Sequence, residues 1–399
     1  MADRQPGLSR RRLLGGGAAA VGVAGAAGIG WGAAGFARTD AEVDSARDVV
    51  AFYGPRQAGI ATPPPAHVAF AGFDLAPGVA REDIIGLLRI WTDDAHRLTQ
   101  GTPALADTEP ELAARPARLT ITVGFGPGLF TAAGLPERQP SWLRPLPPFP
   151  IDRLDPAYTG ADLVLQICAE EATTVVHATR VLSKHVRSLV RVRWVQRGFR
   201  DAPPGQTPRN LMGQLDGTAG IPPADFDRLV WDDGTTQPWL TGGTGLVLRR
   251  IAMDLDTWDE LDTDGRELTV GRRVSDGSPL TGTREHDEPD LAAVDRNGIP
   301  VIPPGSHVAR ARHTHDGERF LRRGFNYDEP PAPGQLSNSG LLFVAYQRDI
   351  DTQFLPVQRR LAEFDALNEW TTPIGSAVFA IPPGVPGPGH YLGQQLFER

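Results

Sequence analysis

One order of strand-like and helix-like segments occurs twice in this chain, and that repeat limits its folds more than any other feature. His67–Phe73 is a short apolar run with strand character. Glu82–Gln100 carries Ile84, Leu87, Leu88 and Trp91 at helical spacing. Leu119–Val123 alternates as a strand, and Leu163–Cys168 is another, beyond a Pro-rich stretch from Pro145 to Pro150. Glu171–Val186 reads as a helix and Leu189–Val195 as a cleanly alternating strand. The order is β-α-β-β-α-β. The second half repeats it with longer insertions: a strand at Leu246–Met253, a helix at Thr257–Val270, strands at Phe320–Tyr327 and Leu341–Tyr346, a helix at Asp351–Leu367 and a strand at Ser376–Ile381. The expectation is an α+β protein of two ferredoxin-like modules with antiparallel sheets. Arg197–Gly213, rich in Pro and Gly, is the natural connector, which divides the chain into 38–205 and 206–399.

The first 37 residues read as an address. Ser9-Arg10-Arg11-Arg12-Leu13-Leu14 fits the twin-arginine export pattern, and the run from Leu13 to about Ala34 is Gly- and Ala-rich. A membrane span would carry more Leu, Ile and Phe. Gly35 and Ala37, flanking Phe36, offer a small-residue cleavage site. The expectation is a signal peptide over 1–37, recognised by the twin-arginine machinery. On this reading no stable membrane span remains after processing and the mature protein is expected to be periplasmic, at the cell surface or secreted; a retained N-terminal anchor is the alternative.

Composition then narrows the chemistry. Cys168 is the only cysteine and Lys184 the only lysine. That excludes disulfide frameworks, Cys-rich zinc sites, Cys-ligated iron–sulfur clusters and a Walker A loop, and it disfavours Schiff-base catalysis. A net charge of −8 argues against nucleic acid as a partner. His96, His177 and His185 sit in helical patterns and read as satisfied or solvated. Neither HExxH nor GxSxG occurs.

Two segments concentrate unusual side chains. Gly305-Ser306-His307-Val308 leads to Arg310, Arg312, His313, Thr314 and His315, and then to Phe320-Leu321-Arg322-Arg323. This is either a solvated basic loop or an axial histidine with an arginine delivered to the same site. Asn210-Leu211-Met212-Gly213-Gln214-Leu215-Asp216-Gly217-Thr218-Ala219 is either a tight turn or a flexible backbone that brings a carboxylate against a planar cofactor.

Gly213-Gln214-Leu215-Asp216-Gly217 resembles the GxxDG signature of dye-decolourising peroxidases. The resemblance continues through Arg193–Phe199, Pro208–Gly213, Trp239–Thr244, Gly305–Val308 and Leu321–Tyr327, in that order. It is closest to the exported, twin-arginine subgroup that includes deferrochelatase-like proteins.

The resemblance implies one haem b per chain, in a pocket between elements of the C-terminal module, with His307 as axial ligand to the iron. It implies Asp216 and Arg322 as the catalytic pair: the carboxylate shuttles a proton on peroxide, and the guanidinium stabilises developing negative charge. Gly217, Thr218 and Ala219 would lie along the haem face, with Arg312, His313 and Thr314 at its edge. In the family an acidic residue just before the final strand orients the histidine, and Glu369 occupies the matching place. The implied reaction reduces H2O2 and oxidises a bulky organic donor, with Trp194, Trp370 and Tyr346 as candidate surface relays. Iron release from haem and haem carriage are the alternatives. Assembly into a homo-oligomer is left open.

Overall fold

The computed structural model describes residues 45–202 and 205–398; the signal segment expected over 1–37 lies outside them. The first half supplies β1 (His67–Leu75), α1 (Arg81–Thr99), β2 (Thr120–Phe125), β3 (Leu163–Ala169), α2 (Ala172–His185) and β4 (Val190–Phe199). The second supplies β5 (Thr244–Met253), α3 (Thr263–Val270), α4 (His307–Ala311), β6 (Leu321–Arg322), β7 (Phe325–Asp328), β8 (Ser339–Gln347), α5 (Leu355–Phe364) and β9 (Thr371–Ile381).

The strands are antiparallel and run β2-β3-β1-β4 in the first half and β9-β5-β8-β7 in the second. In each half the first strand sits in the middle, as the ferredoxin-like order requires. β6 and β7 keep one register on the same edge of β8, with Leu321 opposite Tyr346 and Phe325 opposite Leu342. They are one strand interrupted at Arg323 and Gly324. β2 meets β9 at Phe125 and Ala380, and β4 meets β7 at Phe199 and Asn326, so the two sheets close on each other. Each seam is a single residue pair, far looser than the ladders on either side.

The alternation of β1 shows how the sequence sorts its faces. Val68 and Phe70 join Val164, Trp194, Leu246, Leu248, Phe325, Val344 and Phe379 in the interior enclosed by the sheets. Ala69, Ala71 and Phe73 face outward to Ile84, Leu87, Leu88 and Trp91 of α1 and to Val175, Ala178, Val181 and Leu182 of α2. Both faces are buried, so the strands read as apolar runs. Each large apolar side chain so placed contributes about 1.5–3 kcal/mol. Trp91 Nε1 donates to Leu182 O at 3.0 Å, and His185 Nδ1 lies 2.6 Å from Asp94 Oδ2, tying α1 to α2. His177 pairs with Asp107 at 3.0 Å. His177 and His185 therefore each have a carboxylate partner for one ring nitrogen.

Two expected helices are broken. The segment Thr257–Val270 splits because Asp254 caps a first turn at Thr257 N, and Asp262 then caps α3 at Gly265 N. The segment Asp351–Leu367 opens as a π-turn at Ile350–Phe354, and its α-helix ends at Phe364. Two of the three aromatics considered as surface relays are interior. Trp194 is buried with Nε1 donating to Gly160 O, and Tyr346 is fully buried with its hydroxyl on Gln166 Oε1. Trp370 alone is partly exposed, edge-on to Trp258 at 5.2 Å.

Candidate functional site

His307 opens α4, a single short helix that the sequence pattern does not announce. Ser306 is its N-cap, with Oγ accepting from Ala309 N. Three contacts fix where this helix starts. Ala366 N donates to Gly305 O at 2.8 Å, and Arg310 reaches Arg360 O and Glu363 on α5. Gly271, in the left-handed region at φ 87°, ends α3 directly against Ser306 and Val308. A Cβ there would stand 3.0 Å from Ser306 Oγ in a conformation side chains rarely adopt.

The imidazole of His307 is held from one side. Its Nδ1 lies 2.6 Å from Oδ2 of Asp365, a buried carboxylate whose other oxygen accepts from Leu367 N. Burial alone would lower the His307 pKa; the charge and hydrogen bond of Asp365 outweigh it and raise the value, with Arg322 opposing. Nε2 has no hydrogen bond among the described residues and is left to act as a donor atom. The carboxylate expected to orient this ring was Glu369. It is exposed at the end of a 3-10 turn, while Asp365, four residues earlier, makes the contact. The chain leaves α5 at Phe364, so Asp365 caps a new turn and faces His307 instead of continuing the helix.

Asp216 and Arg322 come from distant parts of the chain and meet in a direct ion pair. Arg322 lies on β6, its guanidinium 5.7 Å from the ring of Phe343. Asp216 follows a tight loop bridged at Arg209 and Leu215, in which Asn210 Oδ1 accepts from Met212 N and Gln214 N. Gly217, at φ 138°, lets the chain turn directly after the carboxylate. Arg322 lowers and Asp216 raises the His307 pKa through their charges, so both members of the pair lie within electrostatic reach of the imidazole.

The other expected residues have contacts of their own. Thr218 Oγ1 donates to Glu285 Oε1 at 2.9 Å, while Gly217 and Ala219 are exposed. Arg312 pairs with Glu288, and His313 and Thr314 are exposed. Glu318, which sequence reasoning missed, holds that stretch: its carboxylate accepts from Thr314 N, Thr314 Oγ1 and Arg360, and Arg360 also reaches Arg312 O. Burial would raise the Glu318 pKa, but these donors hold it down to about 2. Arg360 thus links the 312–318 stretch to α5, the helix that leads into Asp365.

These residues suit an iron porphyrin. They offer one imidazole nitrogen donor, oriented from behind by a carboxylate, and a separate acid and guanidinium within electrostatic reach of it. The chain matches the Dyp-type peroxidase N-terminal family model over residues 57–200 and the C-terminal one over 207–386. It is 57% identical to a DyP-type peroxidase from Cellulomonas bogoriensis of known crystal structure, with a TM-score of 0.87 covering 89% of this chain and 99% of that one. A dye-decolorizing peroxidase of Thermobifida fusca is 40% identical, covering 86% of this chain and 84% of that protein. A deferrochelatase of Yersinia pseudotuberculosis is 36% identical, covering 87% and 84%.

Proposed function

The chain belongs to the Dyp-type peroxidase family, and from that membership and the site geometry we propose a haem-dependent peroxidase that reduces hydrogen peroxide and oxidises bulky organic donors such as dyes. The observation that carries it is the coexistence of an oriented imidazole with a free Nε2 and a separate Asp216–Arg322 pair. A haem carrier needs the first and has no use for the second.

When bound, the haem supplies an iron that coordinates peroxide and stores oxidising equivalents. His307 Nε2 would hold that iron. Asp365 accepts a hydrogen bond from Nδ1–H, which fixes the ring's tautomer and makes Nε2 a stronger donor. Asp216 takes a proton from one peroxide oxygen and returns it to the other, as O–O cleavage requires. Arg322 stabilises the negative charge that develops, without losing its own proton. Thr218 and the segment 312–314 would border the cofactor, Arg312 being suited to a propionate.

Export through the twin-arginine system is part of this proposal, supported by Arg10-Arg11-Arg12 ahead of the Gly/Ala-rich run. Among the described residues no helix is long and apolar enough to cross a membrane. Resemblance to deferrochelatases supports a second reading, iron release from haem. Adding H2O2 to the purified holoprotein separates the two. A shifted Soret band with turnover of an anthraquinone dye is the expected outcome; free iron with intact porphyrin would favour the second reading.

The ring partner gives a sharper expectation. Asp365→Asn removes a negative charge from beside the imidazole and should raise the haem reduction potential by on the order of 60 mV, the one-electron equivalent of a tenfold change. Glu369→Gln should leave it unchanged. Spectroelectrochemical titration of both variants decides the assignment; the opposite pattern would restore Glu369.

A further inference from the structure

The seam between β4 and β7 encloses a narrow cleft lined by Arg200, Pro208, Asn210, Asp216, Asn326 and Leu341, among others. Its enclosed space suits a molecule about the size of water. Arg200 directly follows β4, so the first half of the chain delivers a cation beside Asp216 of the second.

The polar groups in this cleft are unspent in a complementary way. Arg200 N donates to Ala66 O at 2.8 Å, but its guanidinium has no hydrogen bond or ion pair among the described residues. Burial and nearby Arg323 lower the Arg200 pKa, and Asp216 and Glu170 only partly offset this. Asn326 is 6% exposed and donates through Nδ2 to Arg209 O at 3.1 Å. That bond fixes the amide's orientation and leaves Oδ1 buried with no partner. Asp216 Oδ2 keeps only a 3.5 Å contact with Asn210. A buried polar atom without a partner, here Asn326 Oδ1, is costly, so an occupant that satisfies it is favoured. It must accept from a guanidinium, donate to an amide oxygen or a carboxylate, and be very small. An anion would face Asp216 and leave Asn326 Oδ1 unmet; a cation would face Arg200; an apolar molecule meets neither. Water and hydrogen peroxide meet all of them.

We propose that the seam cleft is a holding site for hydrogen peroxide ahead of Asp216, with Arg200 and Asn326 as its hydrogen-bonding partners. The proposal rests on the peroxidase reading and adds to it a role for the N-terminal half: Arg200 is a substrate-holding residue outside the His307 constellation. Water occupies the site when peroxide is absent.

The test uses the holoprotein. Arg200→Leu should lower the second-order rate constant with H2O2 about tenfold and raise the peroxide KM to match, with kcat for dye within about twofold of wild type. Arg200→Lys, which keeps a charged donor, should recover most of the loss. A high-resolution crystal structure should show an ordered water between Arg200 and Asn326 Oδ1, lost in the Leu variant. An unchanged rate constant and KM in Arg200→Leu would overturn the proposal. So would an equal fall in kcat accompanied by haem loss, or an empty cleft in the wild-type crystal. Should wild type not react with peroxide at all, the peroxidase reading falls instead, and the crystallographic occupant still reports on the cleft.

Discussion

His307→Ala is expected to give a folded protein that does not retain haem. Loss of a residue that only orients a metal ligand typically costs about 10–100-fold in affinity, and loss of the ligand itself exceeds that. The fold should survive, because His307 opens a five-residue helix and is no part of the interior packing among Phe70, Trp194, Leu248 and Phe379. Haem content after reconstitution, together with the Soret band, is the measurement. Full occupancy with an unaltered spectrum would show that another residue binds the iron. Imidazole added to the variant should restore binding in part, because the cavity and Asp365 remain to seat it.

The strands were legible because both of their faces are buried, which makes each a dense apolar run whatever lies around it. Positions facing the helices and positions facing the interior differ only in register, as Ala69 and Phe70 do on β1. The two helices misjudged in extent fail at aspartates. Asp262 starts a second helix where spacing alone continues the first, and Asp365 ends one where spacing runs on to Leu367. A capping carboxylate looks like any other polar residue on a helical face until its partner is known. The same ambiguity hides Asp365, the carboxylate that contacts His307, among the polar residues of a helical pattern. His307, Asp216 and Arg322 stood out as motifs, but what surrounds them did not. The Glu318–Arg360 clamp spans 42 residues, and the cleft at Arg200 depends on two halves meeting at one residue pair. Local pattern carries no information about such pairings.

The largest kinetic effects are expected at Asp216 and Arg322. Asp216→Asn keeps the shape of the side chain but cannot relay a proton, and Arg322→Leu removes the stabilising charge. Each should slow the reaction with H2O2 by about 10²–10³-fold while leaving haem bound. The two side chains touch, so their effects should not multiply. Removing Arg322 frees Asp216 from its ion pair and weakens its hold on the reacting position; removing Asp216 leaves Arg322 a charge with no partner. The double variant should therefore lose little more than the worse single variant, whereas independent groups would lose the product of the two factors. Stopped-flow rate constants for the four proteins close this cycle. Wild-type rates in both single variants would remove the pair from the mechanism. A multiplicative double variant would mean that the contact joining the 209–215 loop to β6 plays no part in how the acid and the cation act on peroxide.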